Sequence, residues 1–471
     1  MTTATPIALG KVDQGSLEEF RNHVRGEVLT DGDAGYDEAR RIWNGMFDRK
    51  PTVIARCTGA ADVIAAVNFA RDKGLEIAVR GGGHSMPGQS VCDGGMMIDL
   101  SLLNGVRVDP KNRTVRAGGG CLWGAVDHET TAFGLATVGG TVSHTGVGGL
   151  TLGGGFGWLG RKYGFAVDNL LSVDIVTADG RLHTASADEN PELFWAVRGG
   201  GGNLGVVTSF EYRLHEVGPI IVGGMALFPA ERASEILRAY RDIMATAPDD
   251  LTLAAVYLSA PPAPFVPKEA VGAPMLAIAG CFAGSVEDGM RAMEPVKALN
   301  PIVDLLGPMP YVALQSMIDE GNPHFIQYYN KSHYLGGLSD EVIDRFVAEA
   351  AGKTSPMSYV ILFPFGGATT RSLGGDTAMG FRDTAYIFIM ISAWTDPAES
   401  ERHIRWTRDM WAALQPFATG GIYVNDLNDE GPNQVTTAYE PATYQRLIDV
   451  KTKYDPANIF HMNHNIRPRS V

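Results

Sequence analysis

The chain has 471 residues, with 39 Lys and Arg against 53 Asp and Glu, a formal net charge of −14. That length predicts two or three domains and a large core. The acidic balance argues against nucleic acid and against anionic membrane surfaces as partners, and the composition excludes a collagenous, disulfide-scaffold or wholly disordered chain.

The first residues, MTTATPIALGKVDQG, lack a basic region followed by an apolar run, so no signal peptide is expected. Residues 52–57 read as a strand. The segment 61–74 has helical period and ends at Gly74. Residues 76–84 (EIAVRGGGH) read as a strand running into a glycine loop. Short strands follow at 96–101, 105–109 and 114–119, and a short helix at 129–137. Residues 170–186 form a hairpin with Asp179-Gly180 at its turn. The segment 191–203 is a short helix entering a second glycine loop, and 205–217 is a strand. Strands and helices mix without a strict βαβ series, so the fold class is α+β.

The character changes around 215–225, where glycine thins out. Helices are expected at 230–247, 285–299 and 339–352, and strands at 251–259, 275–284, 358–367, 385–394 and 421–426. Residues 258–274 and 366–380 read as loops, and the tail holds a helix at 442–454. This alternation points to one antiparallel sheet covered by helices.

Glycine is the anomaly. Of 57 glycines, 29 fall within residues 81–210. Such density fits either a turn-rich domain or a backbone cradle for a diphosphate cofactor. Residues 130–160 contain no Asp, Glu, Lys or Arg. Their many glycines, each disfavouring helix by about 1 kcal/mol, argue for buried loops rather than a membrane span. Four scattered cysteines, Cys57, Cys92, Cys121 and Cys281, show neither CxxC nor zinc spacing, which fits a reducing, cytoplasmic location.

The string Arg80-Gly81-Gly82-Gly83-His84, followed by Ser85 and Gly88, resembles the R-x-G-G-H segment of FAD-linked oxidases of the vanillyl-alcohol oxidase superfamily, berberine-bridge-enzyme-like branch. Segments 146–180, 192–214 and 454–466 are similar to further family segments in the same order. The resemblance implies a two-domain, PCMH-type FAD-binding fold. Residues 1–215 and 425–471 would form the FAD domain, and 216–424 a substrate domain with an antiparallel sheet covered by helices.

It also implies roles. His84 would bond covalently to the flavin 8α carbon. Relatives with a second link carry a cysteine where this chain has Val142, so attachment through His84 alone is expected. Cys92 and Cys121 lie outside that motif and read as core residues. Arg80, Gly81–Gly83, Ser85, Gly88, Gly146, Gly148, Gly149, Gly153–Gly155 and Gly157 would surround the cofactor, with backbone N–H groups facing its diphosphate. Gly202, Asn203, Gly205 and Val207 would line its adenine and ribose side. Asn463, His464 and Asn465 would lie at its pyrimidine edge. Thr145 stands where relatives gate oxygen, and its valine-like shape implies access. His144 reads as structural or flavin-adjacent.

Relatives often carry Tyr-x-Asn-Tyr where this chain has Tyr423-Val424-Asn425-Asp426. Asp426 therefore replaces a tyrosine that serves some relatives as a base. A carboxylate there could take a proton from a substrate hydroxyl, and Tyr423 could bind or help deprotonate the substrate. Asp429 and Glu430 follow, so a plain loop carboxylate stays open as an alternative. Another family base position falls at Ile389 and Met390, where contact with substrate would be apolar. Tyr328, Lys331 and His333 are expected near the domain junction on the substrate side.

The resulting expectation is an FAD-dependent oxidase acting on a small molecule and O2. A dehydrogenase with another acceptor, or a flavin-carrying binding protein without turnover, stays open. No G-x-G-x-x-G opens a helix within a βαβ unit, which disfavours a nicotinamide-dependent dehydrogenase.

Overall fold

The hydrophobic runs become three sheets of four, five and eight strands plus a two-residue ribbon in the computed structural model, which describes residues 12–371, 376–428 and 434–470. In the first sheet Val53–Arg56, Met96–Asp99 and Ile77–Arg80 run parallel, with Glu27–Leu29 antiparallel at the edge. Parallel strands need a crossover. Helix Ala60–Lys73 supplies it, and Val63, Ala66, Val67 and Ala70 give it a buried face at i, i+3, i+4, i+7. Gly74 ends the helix at φ 62°, a left-handed conformation in which a side chain would be strained. Strand Ile77–Arg80 then delivers the 81–84 loop from its carboxyl end, where open parallel sheets place their ligands.

The five-stranded sheet is antiparallel throughout. Its order is Val106–Asp109, Thr114–Gly118, Val206–Arg213, Leu170–Val176, Leu182–Ser186. Helices Trp123–Thr131 and Pro191–Val197 cover it, joined by Pro441–Tyr454 from the far end of the chain. A buried ion pair fixes that return. Lys451 Nζ lies 2.6 Å from Asp455 Oδ2, and both side chains are fully shielded. The same ammonium donates to the carbonyls of Asn203 and Phe460, each at 2.8 Å.

The eight-stranded antiparallel sheet carries the helices Ala233–Ala245, Val286–Lys297, Asp340–Ala351 and Ser400–Leu414 on one face. Side chains alternate across a strand, and strand Tyr386–Trp394 shows the consequence. Tyr386, Phe388 and Met390 enter the helix-covered core, whereas Ile387, Ile389, Ile391 and Ala393 face the other half of the molecule. Burying each large apolar side chain contributes about 1.5–3 kcal/mol. Both faces are covered, so the strand reads as an apolar run broken only by Ser392. Arg161 ties the halves together: its guanidinium donates to the carbonyls of Leu251 at 2.8 Å, Phe365 at 2.8 Å and Ala247 at 3.2 Å.

Some elements differ from expectation. Residues 421–426 do not form a strand. Gly420 and Gly421 take φ values of 92° and 74°, which break extension, and Val424–Asp426 is a 3-10 turn. The helix expected at 129–137 lies earlier, at Trp123–Thr131. Helix Ser400–Leu414 and strand Ile220–Pro229 were not anticipated. The 366–380 loop includes a short helix at Ala368–Arg371; its residues 372–375, like Asp429 and Glu430, lie outside the described residues. Among the described residues no helix is long and apolar enough to cross a membrane, and the uncharged 130–160 stretch contains the six-residue helix Val147–Leu152 within glycine turns. All four cysteines are buried and unpaired.

Candidate active site

A cavity of about 410 Å³ lies where the three sheets meet. One wall is main chain. Gly82 and Gly146 press backbone on backbone: a Cβ on Gly82 would fall 2.4 Å from Gly146 Cα, and one on Gly146 would fall 2.6 Å from Gly82 N. By contrast, a Cβ on Gly149 would meet nothing within 4 Å, and one on Gly202 only Asn463 Nδ2 at 4.0 Å. Both glycines line the cavity, so side chains there would project into ligand space. This is a cradle that bare backbone keeps open, and it fits the diphosphate-bearing cofactor the sequence implies.

His84 stands at the same wall. Its ring stacks on Trp43 with centroids 4.1 Å apart and planes 15° apart. The His144 ring lies 5.1 Å from it, and the His324 ring 4.6 Å beyond that. Burial, then the neighbouring His144 and His324, push the His84 imidazole down to about 3. It is therefore neutral and nucleophilic at physiological pH. Among the described residues its buried Nε2 has no hydrogen-bond partner. A buried polar atom without a partner is uncommon, and this one belongs to a residue that lines the cavity.

The opposite wall is made of side chains. Ile361 and Phe363 from strand Tyr359–Pro364, with Ile389 and Ile391 from the neighbouring strand, form an apolar surface. Asp426 and Tyr423 reach the cavity from the 3-10 turn and the residue before it. Asp426 Oδ1 accepts from Asn330 Nδ2 at 3.0 Å, and among the described residues nothing meets the buried Oδ2 in full hydrogen-bond geometry. Burial pushes this carboxyl up to about 7, against the pull of Ser332 and Asn330 toward the anion. Such a group exchanges protons readily near neutrality. The Tyr423 hydroxyl accepts from Gly155 N and from Asn425 Nδ2, each at 2.9 Å. Burial holds its acidity far below that of an ordinary phenol. With both acceptor positions filled, it can only donate.

The structure gathers many of the sequence-identified residues at this cavity. Gly81, Gly82, Gly83, His84, Ser85, Thr145, Gly146, Gly148, Gly149, Gly205, Val207, Asn463, His464, Tyr423 and Asp426 line it. Burial pushes His464 down to about 4, so it stands there uncharged. Val142 also lines the cavity.

Others lie behind the lining. Arg80 donates to Ala39 O at 2.9 Å. Gly88 sits against Phe47, and Gly157 against Gly139 O. Gly153 packs on Asn425, Gly154 on Met379, and Gly155 serves Tyr423. Asn203 clamps the returning chain, donating to Gly200 O and His464 O while accepting from Ile466 N. Asn465 keeps a buried Oδ1 without a partner, outside the cavity lining.

Three expectations on the substrate side are corrected. Met390 faces the helix-covered core, because its neighbours Ile389 and Ile391 take the cavity face. Lys331 and His333 lie on that same helix face: Lys331 Nζ sits 4.4 Å from the Trp411 ring, and His333 stacks on Trp411 at 4.8 Å. Alternation explains both, since Tyr328 and Asn330 hold the opposite face. Tyr328 is buried and stacks on Trp43 at 3.7 Å, one ring removed from His84. Ile389 lies on the cavity wall, as the expected apolar contact, whereas Trp43, Asn330, Tyr359, Ile361, Phe363 and Ile391 were missed. Only a strand register could have revealed Asn330 and the rest of the wall; nothing local marks Trp43.

The glycine cradle and the buried histidine fit an FAD-linked oxidoreductase, and comparison with known proteins shows that class. Residues 51–186 match the FAD binding domain family, and residues 422–467 match the family described as berberine and berberine like. An FAD-linked oxidoreductase of Dictyostelium discoideum is 32% identical over 461 residues, covering 96% of this chain and 97% of that protein. The (R)-6-hydroxynicotine oxidase of Paenarthrobacter nicotinovorans is 33% identical over 460 residues, 94% of this chain and 97% of that one. The crystal structure of 6-hydroxy-D-nicotine oxidase from Arthrobacter nicotinovorans superposes with a TM-score of 0.84 at 29% identity, covering 99% and 100% of the two chains. The Physcomitrella patens berberine-bridge-enzyme-like protein 1 shares the fold at a TM-score of 0.86 and 23% identity, with 97% and 100% covered. The chain belongs to the berberine-bridge-enzyme-like FAD-linked oxidoreductases of the vanillyl-alcohol oxidase superfamily.

Proposed function

We propose that the protein is an oxidase that takes hydride from a C–H bond of a small alcohol, amine or secondary metabolite, with FAD attached through His84 alone. The observation that carries this reading is the shared cavity: neutral His84 and the glycine cradle on one side, Asp426 with its buried Oδ2 on the other. Residues 1–215 and 425–471 hold the cofactor in this reading, and 216–424 the substrate.

Bound FAD supplies the two-electron acceptor and passes those electrons to O2 as hydrogen peroxide. The chain's own residues do the rest. Ile361, Phe363, Ile389 and Ile391 exclude water from the apolar part of the substrate. Asn330 occupies Oδ1 of Asp426 and leaves Oδ2 to take the proton from the substrate O–H or N–H. Tyr423, unable to act as a base, donates its O–H to the same heteroatom and holds it in place. An amine or hydroxyl next to the oxidised carbon satisfies both groups. Among the described residues no Lys or Arg lines the cavity, which disfavours anionic substrates.

Acid precipitation of the purified protein tests the attachment. A yellow pellet that becomes colourless in His84→Ala is expected; a colourless wild-type pellet under a yellow supernatant overturns it. Alcohols and amines are then screened for peroxide release. Rapid anaerobic bleaching with slow recovery in air would instead assign a non-oxygen acceptor.

A further inference from the structure

Trp43 stacks on His84, and neither the cradle nor the proton chemistry uses it. Its backbone N donates to Gly83 O at 2.9 Å, and its carbonyl accepts from Phe325 N at 2.8 Å. The indole Nε1 donates to Asn322 O at 3.1 Å. Every polar group of the residue is thereby occupied, so it offers no hydrogen bond to a ligand. What it offers is its faces. One stacks on His84 at 4.1 Å, and the other on Tyr328 at 3.7 Å with planes 19° apart. Tyr328 is fixed in turn by its hydroxyl, which donates to Pro323 O at 2.7 Å.

The next residue reinforces the arrangement. Asn44 Nδ2 donates to Met86 O at 2.7 Å and to Tyr328 O at 2.9 Å, while Oδ1 accepts from Tyr328 N at 3.1 Å. Gly45 N donates to Ile326 O at 2.7 Å. A three-residue segment thus joins both ends of the His84 loop to the strand Gln327–Leu335 of the large sheet.

We propose that Trp43 is a positioning residue for His84, holding the imidazole in a fixed plane for attachment to the flavin. The inference rests on the reading that His84 carries the cofactor. An imidazole about its second torsion has a broad, two-fold profile and no single preferred plane. Among the described residues no hydrogen bond at Nε2 selects a plane. The indole face supplies the selection, since offset stacking favours parallel rings. Attachment forms a C–N bond between an imidazole nitrogen and the flavin 8α carbon. It breaks one N–H and one C–H bond, both hydrogens leave as protons, and their two electrons pass through the flavin to O2, giving hydrogen peroxide. Bond formation of this kind needs the reacting atoms aligned before they meet.

The test compares wild type, Trp43→Phe and Trp43→Leu, each produced under riboflavin limitation so that the site is largely empty, and then incubated with added FAD. Total flavin is read from visible absorbance, and the acid-stable fraction is followed over time. Trp43→Leu is expected to bind flavin but to make it acid-stable on the order of 10–100 times more slowly than wild type, the scale set by misalignment. Trp43→Phe, which keeps an aromatic face, restores most of the rate. Equal rates in all three proteins overturn the proposal. Wild type without acid-stable flavin removes the His84 reading itself and the proposal with it. If Trp43→Leu does not fold, Tyr328→Leu removes only the backing ring: slower attachment supports the stack, and an unchanged rate overturns it.

Discussion

On the cradle side of the cavity, main-chain atoms face the ligand space; on the strand side, side chains do. Gly82, Gly146, Gly149 and Gly202 do their work by lacking a Cβ, so the residue type itself announces the role. Ile389 and Asn330 do theirs by pointing one way rather than the other, which depends on a register spanning the sheet. A backbone site is therefore written in composition, whereas a side-chain site is written in geometry. Substitutions on the two sides should fail differently.

The largest effect is expected at Asp426. Asp426→Asn removes the proton acceptor, and substrate-driven flavin reduction in stopped flow should slow by about 10²–10⁴-fold. In wild type the carboxyl must be ionised to act. With its value pushed up to about 7, kcat/KM should rise as pH rises through that value and fall below it. The asparagine variant loses this limb of the profile. A profile flat through pH 7 in wild type would assign proton removal elsewhere.

Two glycines sharpen the contrast. Gly157→Ala would place a Cβ 2.0 Å from Gly139 O, and strain of about 1–3 kcal/mol should appear as a lowered Tm. Gly149→Leu meets no such obstacle and should melt near wild type while losing flavin, read as the ratio of visible to protein absorbance. If Gly149→Leu keeps its full flavin content, the cradle lies elsewhere.

A third prediction concerns the seam between the two sides. Asp127, on helix Trp123–Thr131, accepts from Gln315 Nε2 at 2.9 Å across that seam. Burial pushes its carboxyl up to about 7, so the folded chain holds this proton more tightly than the unfolded chain. Stability should therefore decline as pH rises from the unfolded value of about 3.9 to about 7, and stay lower above it. Asp127→Asn should flatten that slope and gain about 1–3 kcal/mol at pH 8, measured by urea unfolding.

The smallest effect separates two adjacent residues. Ile389→Val trims the cavity wall and should shift KM by up to about tenfold. Met390→Leu conserves volume in the helix-covered core, should cost less than about 1.5 kcal/mol, and should leave KM unchanged. Equal shifts in KM would mean that the strand register is not what sorts them.

These contrasts explain what could be read from the chain alone. The resemblance pointed to Gly81–His84, Gly146, Gly148, Gly149, Asn463 and His464, which line the cavity, and also to Arg80, Gly153–Gly155 and Asn465, which do not. The antiparallel sheet and most of its helices were visible through periodicity. Lys331, His333 and Met390 were misplaced because a one-residue slip in register turns a strand inside out. The 421–426 segment misled for another reason: an apolar pattern of strand type is overridden by two glycines in the left-handed region. Trp43 was invisible, since it meets Tyr328 only through the folded chain.

Strand Tyr386–Trp394 carries a further consequence. Its even-numbered residues Phe388 and Met390 are committed to holding helices, while Ile389 and Ile391 touch whatever enters the cavity. Selection for a new substrate can thus work on every second position and leave the architecture intact. A single strand serves two masters without conflict, and relatives sharing this frame can diverge in diet long before they diverge in shape.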